Sequence, residues 1–151
     1  MVSTSGARLL PQNAVSELCE RLLPVTTVLT PNVPEAKLLL SEAGNEAKEP
    51  KCVDDLVGVA KAIQALGPRY VLVKGGHLPF KKDGTVALDE EEKELMVDVL
   101  YGNDEVIRIE SAYRKSKNTH GTGCSLACES SRETLSLTQP TILTVRSCYC
   151  L

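Results

Sequence analysis

No tryptophan occurs in the 151 residues, phenylalanine occurs once, and aromatics make up 3% of the chain. That scarcity argues against stacking platforms for single-stranded nucleic acid. A basic surface is lacking as well: the net charge is −3, so neither nucleic acid nor an anionic membrane is an expected partner. No apolar run approaches the roughly 20 residues that span a bilayer. The first residues carry neither the basic nor the apolar region of a signal peptide, so secretion is not expected. With two histidines in the whole chain and no paired C-x-x-C units, the six cysteines do not spell a zinc site. Cys19 and Cys52 fall in helical patterns and read as small buried hydrophobes. Without a secretion signal a disulfide framework is not expected either. These features together predict a reducing, cytoplasmic setting.

What remains is 42% hydrophobic and 25% charged, enough to build the core of one domain of ordinary size. The periodicity predicts a helix from Asn13 to Leu23, with Val15, Leu18, Cys19 and Leu22 at helical spacing and Pro24 as its stop. Val25 to Thr30 reads as a short buried strand. Pro31-Asn32-Val33-Pro34 breaks it and opens a second helix that runs to about Ala43, with Gly44-Asn45 as its stop. Val53 to Leu66 is the clearest amphipathic helix, with Val53, Leu56, Val57, Ala60, Ile63 and Leu66 on one face, and Gly67-Pro68 ends it. Tyr70-Val71-Leu72-Val73 is apolar throughout, as expected of a strand covered on both faces. Lys74-Gly75-Gly76-His77 follows at its C-terminal end, where open α/β sheets place their ligands. The charged segment 81–94, with Asp89-Glu90-Glu91-Glu92 at its centre, reads as a solvated hairpin or loop. Glu94 to Tyr101 and Glu105 to Ile109 read as two strands joined at Gly102-Asn103-Asp104. A short strand over Thr141 to Val145 closes the series.

One stretch carries the chemistry: Asn118-Thr119-His120-Gly121-Thr122-Gly123-Cys124-Ser125-Leu126-Ala127. Its glycines let backbone N–H groups converge on a ligand without Cβ interference. The small residues that follow read as a helix start, whose free N–H groups and positive dipole end add to a cradle for an anion, most often phosphate. Cys124 stands on the first turn, where a thiolate is favoured. The same string also reads as a glycine turn that joins a strand to a helix, with Cys124 as a packing residue.

Several segments, in order, resemble the C-terminal half of the hydroxymethylpyrimidine/phosphomethylpyrimidine kinases of thiamine biosynthesis, members of the ribokinase-like superfamily. They are Met1-Val2-Ser3-Thr4-Ser5-Gly6, Leu29-Thr30-Pro31-Asn32-Val33-Pro34-Glu35-Ala36, Val73-Lys74-Gly75-Gly76-His77-Leu78 and Lys117-Asn118-Thr119-His120-Gly121-Thr122-Gly123-Cys124-Ser125-Leu126. The resemblance implies an α/β fold, a three-layer α/β/α sandwich around a mostly parallel sheet. It implies transfer of the ATP γ-phosphate to 4-amino-5-hydroxymethyl-2-methylpyrimidine, then to its monophosphate. By position, Gly121, Thr122 and Gly123 correspond to the anion hole and Cys124 to the catalytic base. Lys74 and Gly76 correspond to the side of the ATP phosphates, and Thr119, with Asn118 and His120, to the nucleotide side of the cleft. Asn32 and Glu35 match an Asn-x-Pro-Glu motif beside the Mg²⁺-phosphate site. A single glutamate suffices there, because Mg²⁺ takes one or two carboxylates plus phosphates and waters. The plainer readings stay open: Asn32 as a helix cap, Glu35 as dipole compensation, Lys74 as a solvated strand end, His77 as structural. Cysteine after Gly-Thr-Gly favours this branch over pyridoxal and sugar kinases, which usually carry aspartate there.

The resemblance covers residues 1 to about 127, so residues 1–127 are expected to be the C-terminal half of such a domain and 128–151 an atypical tail, for which disorder is one reading. The family continues after the cysteine with an Ala-rich helix, whereas Cys128-Glu129-Ser130-Ser131-Arg132 stands here. A changed reading frame or retained intron would produce that ending, and sequencing the transcript across codons 124–132 tests it. A half sheet leaves an unpaired edge, so the chain alone is expected to be poorly stable and to have little kinase activity. The expected partner is a small-molecule substrate; a homo-oligomer stays open. The alternatives are a non-catalytic nucleotide-binding fragment and a pyridoxal-type vitamin kinase.

Overall fold

The computed structural model describes residues 10–46, 48–76 and 78–114, all but the last within a compact unit that ends at Tyr113. Three helices, α1 (Gln12–Glu17), α2 (Val33–Glu42) and α3 (Val53–Gln64), accompany a four-stranded sheet of β1 (Val28–Leu29), β2 (Tyr70–Val73), β3 (Leu95–Gly102) and β4 (Glu105–Ala112). The strands lie in the order β1-β2-β3-β4. β1 and β2 run parallel, with α2 and α3 forming the crossover between them. β2–β3 and β3–β4 are antiparallel. The described sheet is therefore mixed, because a tight hairpin joins β3 to β4.

The amphipathic pattern of α3 becomes the centre of the core. Val53, Leu56, Val59, Ala60 and Ile63 are buried and pack with Ala36, Leu39 and Leu40 of α2 and with Val15 of α1. Val59, three residues from Leu56 and four from Ile63, takes the inner position expected of Val57, which with Leu66 is only half-buried. From the sheet come Val71 and Val73 of β2 and Val97 and Val99 of β3, in alternate positions as the pleat requires. The intervening Leu72 and Leu100, a registered pair, belong to the opposite face and are 5% and 9% exposed. β2 is thus covered on both faces, as its unbroken apolar run predicts. The single Phe80 is fully buried and bridges to both Val86 and Leu95. It pins the charged loop 81–94, which runs mostly at the surface but buries Ala87. There Lys81 pairs with Glu92 at 2.8 Å and Lys82 with Glu94 at 3.5 Å, and Glu90–Glu92 forms one 3₁₀ turn.

Three expectations need correction. The helix expected over 13–23 is regular only to Glu17; it widens to a π turn at Leu18–Leu22 and tightens to a 3₁₀ turn at Leu23–Val25. Pro24 has no N–H for the carbonyl a turn earlier, so the hydrogen-bond pattern shifts before the chain stops. Thr26 then closes the end, with Oγ1 donating to the Leu22 carbonyl at 2.6 Å. The strand expected over 25–30 shrinks to Val28–Leu29, since that turn claims Val25 and leaves it 76% exposed. Cys52 lies before α3 rather than within it, as the helix cap, and both Cys52 and Cys19 are half-buried rather than buried. Among the described residues no helix is long and apolar enough to cross a membrane. The segment 1–6, the expected strand at 141–145 and the boundary at 127/128 lie outside the described residues.

Candidate functional site

Parallel pairing carries the C-terminal ends of β1 and β2 to one place. Beyond the strands proper, the Lys74 amide donates to the Pro31 carbonyl at 2.9 Å, and Asn32 and Lys74 form a further parallel bridge. Two of the expected site segments thereby stand side by side, although Asn32 and Lys74 are 42 positions apart in sequence.

Asn32 is the N-cap of α2. Its Oδ1 accepts the Glu35 N–H at 2.8 Å, while Glu35 Oε2 accepts the Asn32 N–H at 3.1 Å. This reciprocal box satisfies two of the donors that a helix start leaves unpaired, and Pro34 in the first turn has no N–H to satisfy. Helix capping and dipole compensation, the plainer readings of Asn32 and Glu35, are both realised. Glu35 also stays half-buried at the positive end of α2, a setting suited to phosphate and its counter-ion.

Across from this cap lies Lys74-Gly75-Gly76. No described carboxylate forms a salt bridge with the half-buried Lys74, which keeps its ammonium available for a phosphate. Gly75 is buried against β3 so closely that a Cβ there would stand 2.0 Å from the Val97 carbonyl oxygen. Only glycine fits. Gly76 is the reverse: it is exposed, and a Cβ would meet nothing within 4 Å. Its backbone is open to a ligand from outside the sheet.

Sequence reasoning passed over Asp98. This carboxylate is only 6% exposed and its Oδ1 accepts the Gly75 N–H at 2.9 Å. The signal was present: Asp98 is the one charge in the run Met96-Val97-Asp98-Val99-Leu100, and a buried charge needs a partner. What could not be foreseen was that its partner is a backbone amide 23 positions earlier in the chain.

Gly121, Thr122, Gly123, Cys124, Thr119, Asn118, His120 and His77 lie outside the described residues. The expected site residues brought together are therefore Asn32, Glu35, Lys74 and Gly76. A separate cleft of about 230 Å³ is lined by Cys52, Asp54, Lys81, Lys82, Arg108 and Glu110 among others. Its three basic groups are already paired: Arg108 with Asp54 at 2.6 Å, Lys81 with Glu92 and Lys82 with Glu94. It too includes a helix start, at Cys52–Asp54, and a glycine, Gly84, but among the described residues none of its cations is left unpaired for an anion. Burial first, then the Glu42 and Glu20 carboxylates, push the Cys19 thiol up from its ordinary range, so it is a poor nucleophile. Among the described residues no cluster of three His, Cys, Asp or Glu side chains could hold a metal by itself.

A sequence model of the family described as phosphomethylpyrimidine kinase matches residues 1–134. The chain is 40% identical over 127 residues to a thiamine biosynthetic bifunctional enzyme of Arabidopsis thaliana, covering 84% of this chain and 21% of that one. It is 36% identical over 129 residues to a hydroxymethylpyrimidine/phosphomethylpyrimidine kinase of Rhizobium meliloti, covering 84% of this chain and 41% of that one. Among solved structures, the ADP complex of Bacillus subtilis pyridoxal kinase superposes with a TM-score of 0.69 at 33% identity, covering 92% of this chain and 46% of that one. The chain thus spans between about a fifth and two fifths of the length of these curated relatives.

Proposed function

This chain belongs to the phosphomethylpyrimidine kinase family, and on that premise we propose that it carries the phosphate-handling end of an ATP-dependent kinase. The acceptors would be 4-amino-5-hydroxymethyl-2-methylpyrimidine and its monophosphate, in thiamine biosynthesis. The observation that carries this reading is the juxtaposition of the Asn32–Glu35 cap with Lys74-Gly75-Gly76 at the joined ends of two parallel strands. An exposed glycine backbone, an ammonium with no described carboxylate partner and a helix N-terminus are what a polyphosphate needs for positioning and charge neutralisation.

In this reading Lys74 meets the ATP phosphates and Gly76 gives them room. Glu35 would share Mg²⁺ with those phosphates, and the ion would neutralise their charge. Gly121, Thr122 and Gly123 would supply N–H groups to the transferring phosphoryl group, and Thr119 would border the nucleotide. Cys124, as thiolate, would take the hydroxymethyl proton as that oxygen attacks the γ-phosphorus and ADP leaves. For the second transfer the acceptor is already a phosphate, and a base matters less. The setting we propose is cytoplasmic, with a small-molecule substrate as the partner.

The test is ADP formation by the purified protein with Mg-ATP, with and without hydroxymethylpyrimidine. For this chain alone little turnover is expected, and pyrimidine-dependent turnover that falls by about 10²–10⁴ in Cys124→Ala supports the role of Cys124. Folded protein that releases no ADP with the pyrimidine present refutes catalysis by this chain and leaves its family membership intact. The likeness to a pyridoxal kinase structure supports a second reading, phosphorylation of a pyridoxal-type alcohol. Competition between the two substrates separates them: pyridoxal turnover that hydroxymethylpyrimidine does not suppress favours the second.

A further inference from the structure

Asp98 is buried, and its carboxylate is bonded to the middle residue of the turn that carries Lys74 and Gly76. We propose that Asp98 is a positioning residue for nucleotide, which holds Lys74-Gly75-Gly76 in its binding shape; this rests on the nucleotide reading of that turn.

Three observations converge on it. The registered pairs of β2 and β3 end at Val73 with Val99, so one further step sets Lys74 across from Asp98. Lysine and aspartate facing one another across a ladder would ordinarily form an ion pair. They form none here: Asp98 Oδ1 takes the Gly75 N–H at 2.9 Å instead. The carboxylate is thus engaged with backbone, and the ammonium is left for a phosphate.

The second observation is the contact on the other side of Gly75. A Cβ at this position would lie 2.0 Å from the Val97 carbonyl oxygen, so the Gly75 backbone is pressed onto β3. Two neighbouring residues of one strand, Val97 by its carbonyl and Asp98 by its carboxylate, fix Gly75 from two directions. Third, Gly76 is open to solvent with nothing within 4 Å of its would-be Cβ. The Gly75 carbonyl also accepts the Leu78 N–H at 2.7 Å, so the Gly76 backbone is set by that bond together with the anchorage of Gly75 on β3. On the opposite flank the Lys74 amide is held by the Pro31 carbonyl at 2.9 Å. The turn is therefore tied to β1 before its glycines and to β3 within them. A turn held in advance does not have to be ordered when ligand arrives, and ligand then binds more tightly.

ADP affinity, measured by calorimetry with Mg²⁺ present, and thermal unfolding test this on the full chain. Asp98→Ala removes the acceptor and is expected to weaken ADP binding about tenfold or more, as loss of a hydrogen bond to a charged group does. Asp98→Asn keeps an acceptor oxygen in place and is expected to bind ADP within about threefold of the parent, whatever its melting temperature. Rescue by asparagine separates positioning from stability, and it keeps the test open where the alanine variant does not fold. An unchanged affinity in folded Asp98→Ala overturns the role of Asp98 alone, as does an asparagine variant as weak as a folded alanine one. A parent chain that is folded and binds no ADP overturns the nucleotide reading, and this role with it.

Discussion

Asn32 and Glu35 hold each other: the asparagine Oδ1 takes the glutamate amide at 2.8 Å and the glutamate Oε2 takes the asparagine amide at 3.1 Å. The pair therefore has a structural duty, from which the proposed role toward phosphate must be separated. Asn32→Ala is expected to lower stability by about 1 kcal/mol, the usual loss for an N-cap, while Asn32→Asp retains most of it. Glu35→Gln keeps an acceptor for the cap and should change the denaturation midpoint little. If Glu35 also shares Mg²⁺, the same variant needs more Mg²⁺ for nucleotide binding. Urea titration beside an Mg²⁺ titration of ADP affinity checks both, and an unaltered Mg²⁺ requirement removes Glu35 from the metal site.

The two adjacent glycines should respond in opposite ways. Gly75→Ala forces a methyl onto the Val97 carbonyl, a backbone atom with little room to yield, and is expected to cost about 1–3 kcal/mol or more. Gly76→Ala meets no protein atom and should leave stability within about 1 kcal/mol of the parent. Under the proposed function it should nonetheless weaken ADP binding, because its methyl occupies the side from which a phosphate approaches. Equal melting temperatures for the two variants would contradict the packing described at Gly75.

The β3–β4 hairpin turns on Asn103 and Asp104, at φ 52° and 61°, both in the left-handed region that a type I′ turn demands. Asp104→Gly relieves that strain and should stabilise by up to about 1 kcal/mol. It gives up only an exposed 3.2 Å bond from the Tyr101 hydroxyl. Asn103→Val, a β-branched residue at positive φ, should destabilise by about 1–2 kcal/mol. Thermal melts of the two variants should bracket the parent.

A pH effect follows from the start of α3. Asp55 Oδ2 accepts the Lys51 N–H at 2.7 Å and the Cys52 N–H at 3.3 Å. The Lys51 amide bond is the main cause that holds its carboxyl below the usual range, slight burial opposes it, and the bonds from Cys52 add to it. A carboxylate lowered on folding stabilises the fold above its unfolded pKa of about 4, and that contribution fades as pH falls through the lower folded value. Asp55→Ala should therefore be less stable than the parent at pH 7, and the gap should narrow below about pH 4. The side chain is exposed, so the gap is modest. Denaturant midpoints of both proteins from pH 7 to pH 2 measure it, and a gap that widens in acid would contradict the assignment.

Much of this protein is legible in its sequence because local chemistry sets it. The apolar spacing of Val53 to Ile63 makes α3, Pro31-Asn32-Val33-Pro34-Glu35 makes the start of α2, and Tyr70 to Val73 makes a strand covered on both faces. The glycine and lysine motifs likewise mark the family before any fold is known. Tertiary structure decided the rest, because it depends on which strands meet. Parallel pairing of β1 with β2 sets Asn32 beside Lys74, and no spacing along the chain encodes that neighbour. Antiparallel pairing of β2 with β3 gives the Gly75 amide its buried carboxylate and leaves Gly75 no room for a side chain. Pro24 bends the first helix into π and 3₁₀ turns and shortens β1, where periodicity alone predicts a regular helix and a longer strand. Sequence sets what each segment can become; contact between segments distant along the chain sets which amide meets which carboxylate, and the candidate site is made of such meetings.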